Sequence, residues 1–168
     1  WLPWAKEELT KRGFEVHVPE MPETDNPKIE VWVSHLAKEI GKADENTILI
    51  GHSIGCQTIL RYLETLPEDI KFRKVILVAP WMTLTNQSDE EKAIAKPWEE
   101  TPIDFDKVKT KANSFIAVFS DNDSWVPYEE NKKVFEEKLG AEIILKHQMG
   151  HFTSDEGFKE IPFILELI

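Results

Sequence analysis

The pentapeptide Gly51-His52-Ser53-Ile54-Gly55 is the part of this 168-residue chain whose residue types and spacing could do chemistry. It has the pattern G-x-S-x-G, in which a sharp turn between a strand and a helix holds a serine in a strained conformation. Such a turn lifts the hydroxyl above a sheet and places it at a helix N-terminus, where free N–H groups favour negative charge. The pattern predicts Ser53 as a nucleophile and the Ile54 N–H as a donor to an oxyanion.

The flanking residues strengthen a pentapeptide that is a weak signal alone. Residues 47–50 have the pattern of a buried strand, and residues 54–66 that of a helix ended by Pro67. A strand-to-helix turn that merely needs glycines is the alternative interpretation. A phosphate-binding nucleotide loop is excluded, because Cys56 and Gln57 stand where such a loop has its lysine.

A serine nucleophile needs a base within hydrogen-bond reach and an acid that orients the base. Where this motif is used, the acid and then the histidine follow the serine along the chain. Of the five histidines, only His151 lies in a loop beyond the last predicted strand, and Gly150 before it allows that loop to turn back. We therefore predict His151 as the base.

Two aspartates compete for the role of the acid after the predicted strand 114–119. Asp123 is preferred because it leads a loop in which Pro127 opens the next helix. Asp121 stands closer to the strand end and is the alternative, although it could equally cap a turn. A hydroxyl, an imidazole and a carboxylate in this order predict acyl transfer to water through an acyl-enzyme intermediate.

The elements that must position these groups alternate between short apolar runs and amphipathic stretches. This alternation predicts an α/β fold of three layers, α/β/α, with a doubly wound and mostly parallel sheet. The stretch 80–105, rich in acids and proline, is expected to be an irregular loop that carries Trp98. Strands are predicted at 14–18, 47–50, 74–79, 114–119 and 142–146, and helices at 4–12, 27–40, 54–66, 106–112, 127–139 and 161–168.

Length and composition indicate a single domain over residues 1–168 with an ordinary hydrophobic share of 41%. The net charge of −11 disfavours nucleic acid and membrane surfaces as partners and points to no particular protein partner. One cysteine, Cys56, excludes an internal disulfide and fits a reducing compartment, so a cytoplasmic location is expected.

The chain resembles the YdeN-like small serine hydrolases, the group that includes retinoblastoma-binding protein 9. The resemblance implies an α/β-hydrolase fold with a reduced lid, a triad on Ser53, Asp123 and His151, and cleavage of small acyl esters without cofactor or metal. It runs over nearly the whole chain and rests on Trp1-Leu2-Pro3-Trp4, Glu20-Met21-Pro22, Gly51 to Cys56, Ala79-Pro80, Ser120 to Asp123 with Val126-Pro127, Gly150-His151-Phe152 and Glu156-Gly157-Phe158.

One departure concerns the second oxyanion donor. Members of this group begin with a further strand and a His-Gly loop that supply it, and we expect about 10 to 20 such residues upstream of Trp1. Trp81, Met82 and Trp125 are candidates for the walls of a substrate pocket. The competing functions are a catalytically weak or inactive protein-binding module and another hydrolysis, of a lactone or a carbon–carbon bond.

Overall fold

A four-stranded parallel sheet in the order β1-β2-β3-β4 forms the centre of the protein. The structure is a computed structural model that describes residues 1–42 and 44–168. Because every pair of neighbouring strands is parallel, their carboxyl ends meet at one edge, where such sheets place their sites. The strands are β1 Ile48–His52, β2 Lys74–Val78, β3 Phe115–Ser120 and β4 Glu142–Lys146.

Helices connect the strands, as crossovers between parallel strands require. Short 3₁₀ turns at Lys109–Lys111 and Pro162–Glu166 complete the regular structure. No helix within the described residues is long and apolar enough to cross a membrane. The helices are α1 Leu2–Lys11, α2 Ile29–Ile40, α3 Ile54–Thr65, α4 Asp89–Glu100, α5 Phe105–Val108 and α6 Tyr128–Glu137.

Two hydrophobic clusters cover the two faces of the sheet. Val75 and Leu77 of β2 pack with α2 and α3 on one face, whereas Ile76 and Val78 pack with α1 and the C-terminal 3₁₀ turn on the other. Buried side chains on both faces explain why the strands are continuous apolar runs rather than alternating ones. The predicted α/β fold with three layers and a parallel sheet is confirmed.

The prediction of a strand at 14–18 is wrong. These residues have no regular secondary structure, and Phe14 is among the most exposed large hydrophobic side chains. The half-buried Val16 packs against the cluster around α1 without being part of a strand. Period-two alternation reports which side chains are buried, whereas a strand also needs a hydrogen-bonded neighbour.

The prediction of an irregular loop at 80–105 is also wrong in its second half, where α4 lies. Ser88 caps this helix: its hydroxyl accepts from the Glu91 N–H (3.2 Å), and the Glu91 carboxylate accepts from the Ser88 N–H (2.7 Å). This reciprocal capping box and three acids in the first turn stabilise the N-terminus enough for a helix that contains Pro97. At 161–168 the chain forms the 3₁₀ turn Pro162–Glu166 instead of the predicted helix.

Candidate active site

Ser53 lies at the turn that leads from β1 directly into α3. Its φ of 52° is in the left-handed region, a strained conformation for a residue with a side chain. The Ser53 N–H donates to the Val78 carbonyl (2.9 Å), which continues the β1–β2 ladder into the turn. A Cβ on Gly51 would lie 3.0 Å from the Cα of Cys56, so glycine lets α3 approach the strand, whereas a Cβ on Gly55 would meet nothing within 4 Å.

Three side chains from distant loops form one hydrogen-bonded line at the carboxyl edge of the sheet. The Ser53 Oγ lies 2.8 Å from Nε2 of His151, and the Nδ1 of the same ring lies 2.6 Å from Oδ2 of Asp123. A carboxylate can only accept, so Nδ1 carries the proton and Nε2 accepts from the serine hydroxyl. The His151 and Asp123 side chains are 8% and 2% exposed, so water competes little for these bonds.

The Asp123 carboxylate is held on its other oxygen by two backbone N–H groups. Oδ1 accepts from Trp125 (2.9 Å) and Val126 (3.1 Å), which fixes the plane of the carboxylate and leaves Oδ2 for His151. The competing Asp121 contacts His147 instead, at 2.6 Å and on the exposed surface. Between the two candidates, the structure places Asp123 beside the predicted base.

The loops that carry the aspartate and the histidine are hydrogen-bonded to each other. The Ser120 hydroxyl accepts from the Met149 N–H (2.9 Å), and the Asn122 side chain accepts from the Gly150 N–H (2.8 Å). These bonds fix the backbone immediately before His151 relative to the end of β3. Sequence reasoning missed them because they join residues almost thirty positions apart.

Glu156 holds the backbone of His151 from the other side. One carboxylate oxygen, Oε2, accepts from the His151 N–H (2.8 Å), the Thr153 N–H (3.2 Å) and the Thr153 hydroxyl (2.7 Å). Burial works against this charge, but these hydrogen bonds outweigh it and lower the Glu156 pKa. Glu156 therefore stays ionised and closes the turn that presents the imidazole.

Gly150 should not tolerate a side chain, because its φ is 49° and a Cβ there would overlap Oε1 of Glu156. We expect Gly150→Ala to lower the free energy of unfolding by roughly 2–4 kcal/mol, from backbone strain and lost Glu156 bonds. Displacement of His151 should lower kcat at least about tenfold. Chemical denaturation and steady-state kinetics measure the two effects.

Gly157→Ala is the matched control. Gly157 also has a positive φ, 95°, but a Cβ at this position would have nothing within 4 Å. In this variant only backbone strain should lower the free energy of unfolding, by about 1–2 kcal/mol, and kcat should not change. Equal losses of stability and activity in both variants would contradict the role given to the Glu156 contact.

His52 also holds the backbone of His151, a role that was not predicted from the sequence. Its Nε2 lies 2.7 Å from the His151 carbonyl oxygen, and the two ring centroids are 5.2 Å apart. Because a carbonyl only accepts, Nε2 must be the donor. Burial lowers the His52 pKa to about 4, so the ring is neutral near pH 7 and donates without adding charge next to His151.

This buried histidine should make the folded protein sensitive to mild acid. The pKa of His52 is about 4 when folded and near 6.5 in an exposed chain, so between these values the unfolded state binds more protons. Stability is therefore complete above pH 6.5 and falls as the pH drops toward 4. We expect a loss of roughly 2 kcal/mol between pH 7 and pH 5 from this group, measured by urea unfolding.

His52→Gln provides the comparison, because glutamine keeps an N–H donor but does not titrate. Between pH 7 and pH 5, the free energy of unfolding of this variant should change less than that of the unchanged protein. Carboxylates with a lowered pKa, such as Glu156, are protonated only below this range. A variant that loses as much stability as the unchanged protein would show that His52 is not the sensitive group.

The predicted pocket residues occupy different surroundings. Trp81 is 2% exposed and its indole nitrogen lies 3.4 Å from the Ser53 hydroxyl. Trp125 is 38% exposed and stands edge-on to the His151 ring, with centroids 5.2 Å apart.

Met82 is half-buried against the core, with its N–H bonded to Asn131 (2.7 Å). Trp98 belongs to α4, where it is buried against Trp32 and Arg61.

A backbone donor stands beside the serine as well. Ile54 is the first residue of α3, and the first N–H groups of a helix have no partner within it. Residues 1–42 and 44–168 contain no group of three or more His, Cys, Asp or Glu side chains placed to hold a metal ion. The Ser53 hydroxyl thus contacts an imidazole and an indole N–H and lies at a helix N-terminus.

A parallel sheet with a strained serine between a strand and a helix, covered by helices on both faces, has the α/β-hydrolase architecture. The comparison with protein families is more specific. The family described as Serine hydrolase matches residues 1–168, and the chain belongs to this family. It is accordingly a hydrolase.

Individual relatives agree with this assignment. YdeN of Bacillus subtilis is 29% identical over 168 residues, which are 100% of this chain and 86% of that protein. Serine hydrolase RBBP9 of Rattus norvegicus is 27% identical over 169 residues, again 100% of this chain and 86% of the relative. The crystal structure of the Bacillus subtilis ydeN gene product has a TM-score of 0.89 at 28% identity, covering 99% of this chain and 87% of that one.

Proposed function

We propose that the protein hydrolyses small acyl esters through Ser53, His151 and Asp123, with an acyl-enzyme intermediate. The observation that carries the proposal is the unbroken line from Oδ2 of Asp123 through the His151 ring to Oγ of Ser53, with distances of 2.6 and 2.8 Å. These lengths lie within the reach that a general base needs. Membership in the Serine hydrolase family supports the same chemistry.

Acylation begins when the Ser53 oxygen attacks the ester carbonyl carbon and His151 Nε2 takes the hydroxyl proton. Asp123 stabilises the resulting imidazolium through Nδ1. The Ile54 N–H donates to the oxyanion of the tetrahedral intermediate. When this intermediate collapses, the bond to the alcohol oxygen breaks and His151 gives its proton to that oxygen.

Deacylation repeats these roles with water. His151 removes a proton from a water molecule as its oxygen attacks the acyl carbon, and the proton then passes to the departing Ser53 oxygen. The products are a carboxylic acid and the regenerated serine. The reaction needs no cofactor or metal, since proton transfer and hydrogen bonding supply every step.

The preference for small esters rests on the residues around Ser53. Trp81 and Trp125 bring two large aromatic side chains next to the serine and the histidine. Aromatic side chains provide apolar contact area for a short acyl or alcohol group. Because Trp125 is 38% exposed, it belongs to the rim rather than to a deep pocket.

A series of p-nitrophenyl esters with acyl chains of increasing length tests this function. The protein should release about one equivalent of p-nitrophenol in a rapid first phase where deacylation is slow, and the shortest chains should give the highest kcat/KM. Ser53→Ala should show neither the first phase nor the steady rate. Unchanged hydrolysis by this variant, or none by the folded wild-type protein, would contradict the proposal.

A further inference from the structure

The indole N–H of Trp81 points at the candidate nucleophile. Trp81 is 2% exposed, and its Nε1 lies 3.4 Å from Oγ of Ser53 with hydrogen-bond geometry. A buried N–H without an acceptor destabilises the folded protein. Within the described residues, the Ser53 oxygen is the acceptor that the indole finds, so this buried donor serves the reacting atom.

The position of Trp81 is fixed by its backbone. Ala79, with a φ of 47° in the left-handed region, lies in the turn between the end of β2 and Trp81. The side chain of Gln57, which is fully buried in α3, donates to the Trp81 carbonyl (3.1 Å). Gln57 is itself oriented, because its carbonyl oxygen accepts from the Arg61 guanidinium (3.0 Å).

Asn131 fixes the chain just beyond Trp81. It is 1% exposed, and its side-chain oxygen accepts from the N–H groups of Met82 (2.7 Å) and Thr83 (3.1 Å). Hydrogen bonds to the carbonyl of Trp81 and to the two N–H groups after it thus fix the backbone that carries the indole before any substrate arrives. A donor organised in advance need not be reoriented when charge develops during the reaction.

We propose that Trp81 is a catalytic hydrogen-bond donor to the Ser53 oxygen, an inference that rests on the function proposed above. In the resting site, Oγ donates to His151 and accepts from Trp81. As Nε2 of His151 takes the proton, negative charge develops on Oγ before its bond to the acyl carbon is complete. Hydrogen bonds to charged acceptors are about twice as strong as neutral ones, so the contact stabilises the transition state more than the ground state.

The same donor acts in deacylation. When the bond between the acyl carbon and Oγ breaks, the serine oxygen departs with negative charge and recovers its proton from His151. Both chemical steps therefore use the Trp81 N–H, whereas substrate binding does not. Its loss should lower kcat and leave KM nearly unchanged.

Trp81→Phe tests the donor, because phenylalanine keeps an apolar ring and removes the N–H. One oxyanion donor is worth about 10²- to 10³-fold, and this longer contact to the nucleophile should be worth about tenfold in kcat. Trp98→Phe is the matched control: Trp98 is fully buried, and its N–H donates to the Pro27 carbonyl (3.0 Å) away from Ser53. Its kcat should change less than about twofold.

Nuclear magnetic resonance of the indole N–H groups tests the contact without replacing a tryptophan. The Trp81 signal should move in Ser53→Ala, while that of Trp98 should stay in place. A wild-type protein that hydrolyses esters while Trp81→Phe keeps full kcat would overturn this inference alone, as would an unmoved Trp81 signal. A wild-type protein that hydrolyses no ester would remove the proposed function and the catalytic assignment with it, even if the signal moves.

Discussion

Replacing His151 with glutamine is expected to lower kcat for ester hydrolysis by about 10⁵-fold or more, since removal of a triad base has effects of this order. Nε2 of His151 lies 2.8 Å from the Ser53 oxygen and is the group that accepts the serine proton in the proposed mechanism. Without a base, the serine attacks as a neutral hydroxyl, a weak nucleophile. Steady-state and single-turnover kinetics with a p-nitrophenyl ester measure the loss.

His147→Gln is the matched control for this variant. His147 also pairs with an aspartate at 2.6 Å, but its side chain is 78% exposed and its partner is Asp121. Water and salt screen an exposed pair of this kind, and this pair does not contact Ser53, so kcat should change less than about threefold. If His147→Gln lost as much activity as His151→Gln, the base would have been assigned to the wrong histidine.

Asp123→Asn is expected to lower kcat by about 10⁴-fold at neutral pH. Two backbone N–H groups, of Trp125 and Val126, donate to Oδ1 of Asp123, so the amide oxygen of an asparagine would be held at that position. The amide NH₂ would then face His151, because an amide nitrogen cannot accept from those N–H groups. Nδ1 of the ring would have to accept, and the proton would move to Nε2, where it blocks transfer from Ser53.

Asp121→Asn is the comparison that separates the two aspartates. Asp121 accepts from the Gln148 N–H and contacts His147 rather than His151, and these contacts lower its pKa. Its replacement should leave kcat within about threefold, because the Asp123–His151–Ser53 line is untouched. Normal activity in Asp123→Asn together with a large loss in Asp121→Asn would reverse the assignment.

The sequence was sufficient to predict which functional residues lie at the ends of the strands. A buried strand pattern, the turn around Ser53 and the helix after it follow directly along the chain, so local rules place the serine. Chain order and a position in the loop beyond the last predicted strand then separated His151 from the four other histidines. The choice of Asp123 over Asp121 needed the orientation of one loop, and Pro127 at the start of the next helix was the residue that indicated it.

Contacts between distant loops could not be predicted from the sequence. The supports of His151 come from Gly150 and Glu156 on its own loop and from His52 nearly a hundred positions earlier. A local pattern shows neither that His52 faces the His151 carbonyl nor that it is neutral. Glu156 carried a usable signal, since a glycine before the histidine and a carboxylate five residues after it are compatible with a closed turn.

Local patterns failed where the outcome depended on the neighbours of a segment. Residues 14–18 alternate as a strand does, yet Phe14 is exposed, Val16 packs against the cluster around α1, and the segment is not a strand. In α4 the capping signal of Ser88 and Glu91 was present in the sequence, but Pro97 and the many acids favoured a loop. There the cap and the burial of Trp98 outweigh the cost of the proline.

The central claim is that Ser53 has the reactivity that a base within hydrogen-bond distance gives a serine, and a fluorophosphonate probe measures that reactivity directly. After treatment of the folded protein, mass spectrometry of its peptides should find one phosphonyl group, on Ser53, with labelling abolished in Ser53→Ala and strongly slowed in His151→Gln. A natively folded protein whose Ser53 stays unmodified, or that is labelled equally well at another residue, would contradict the account.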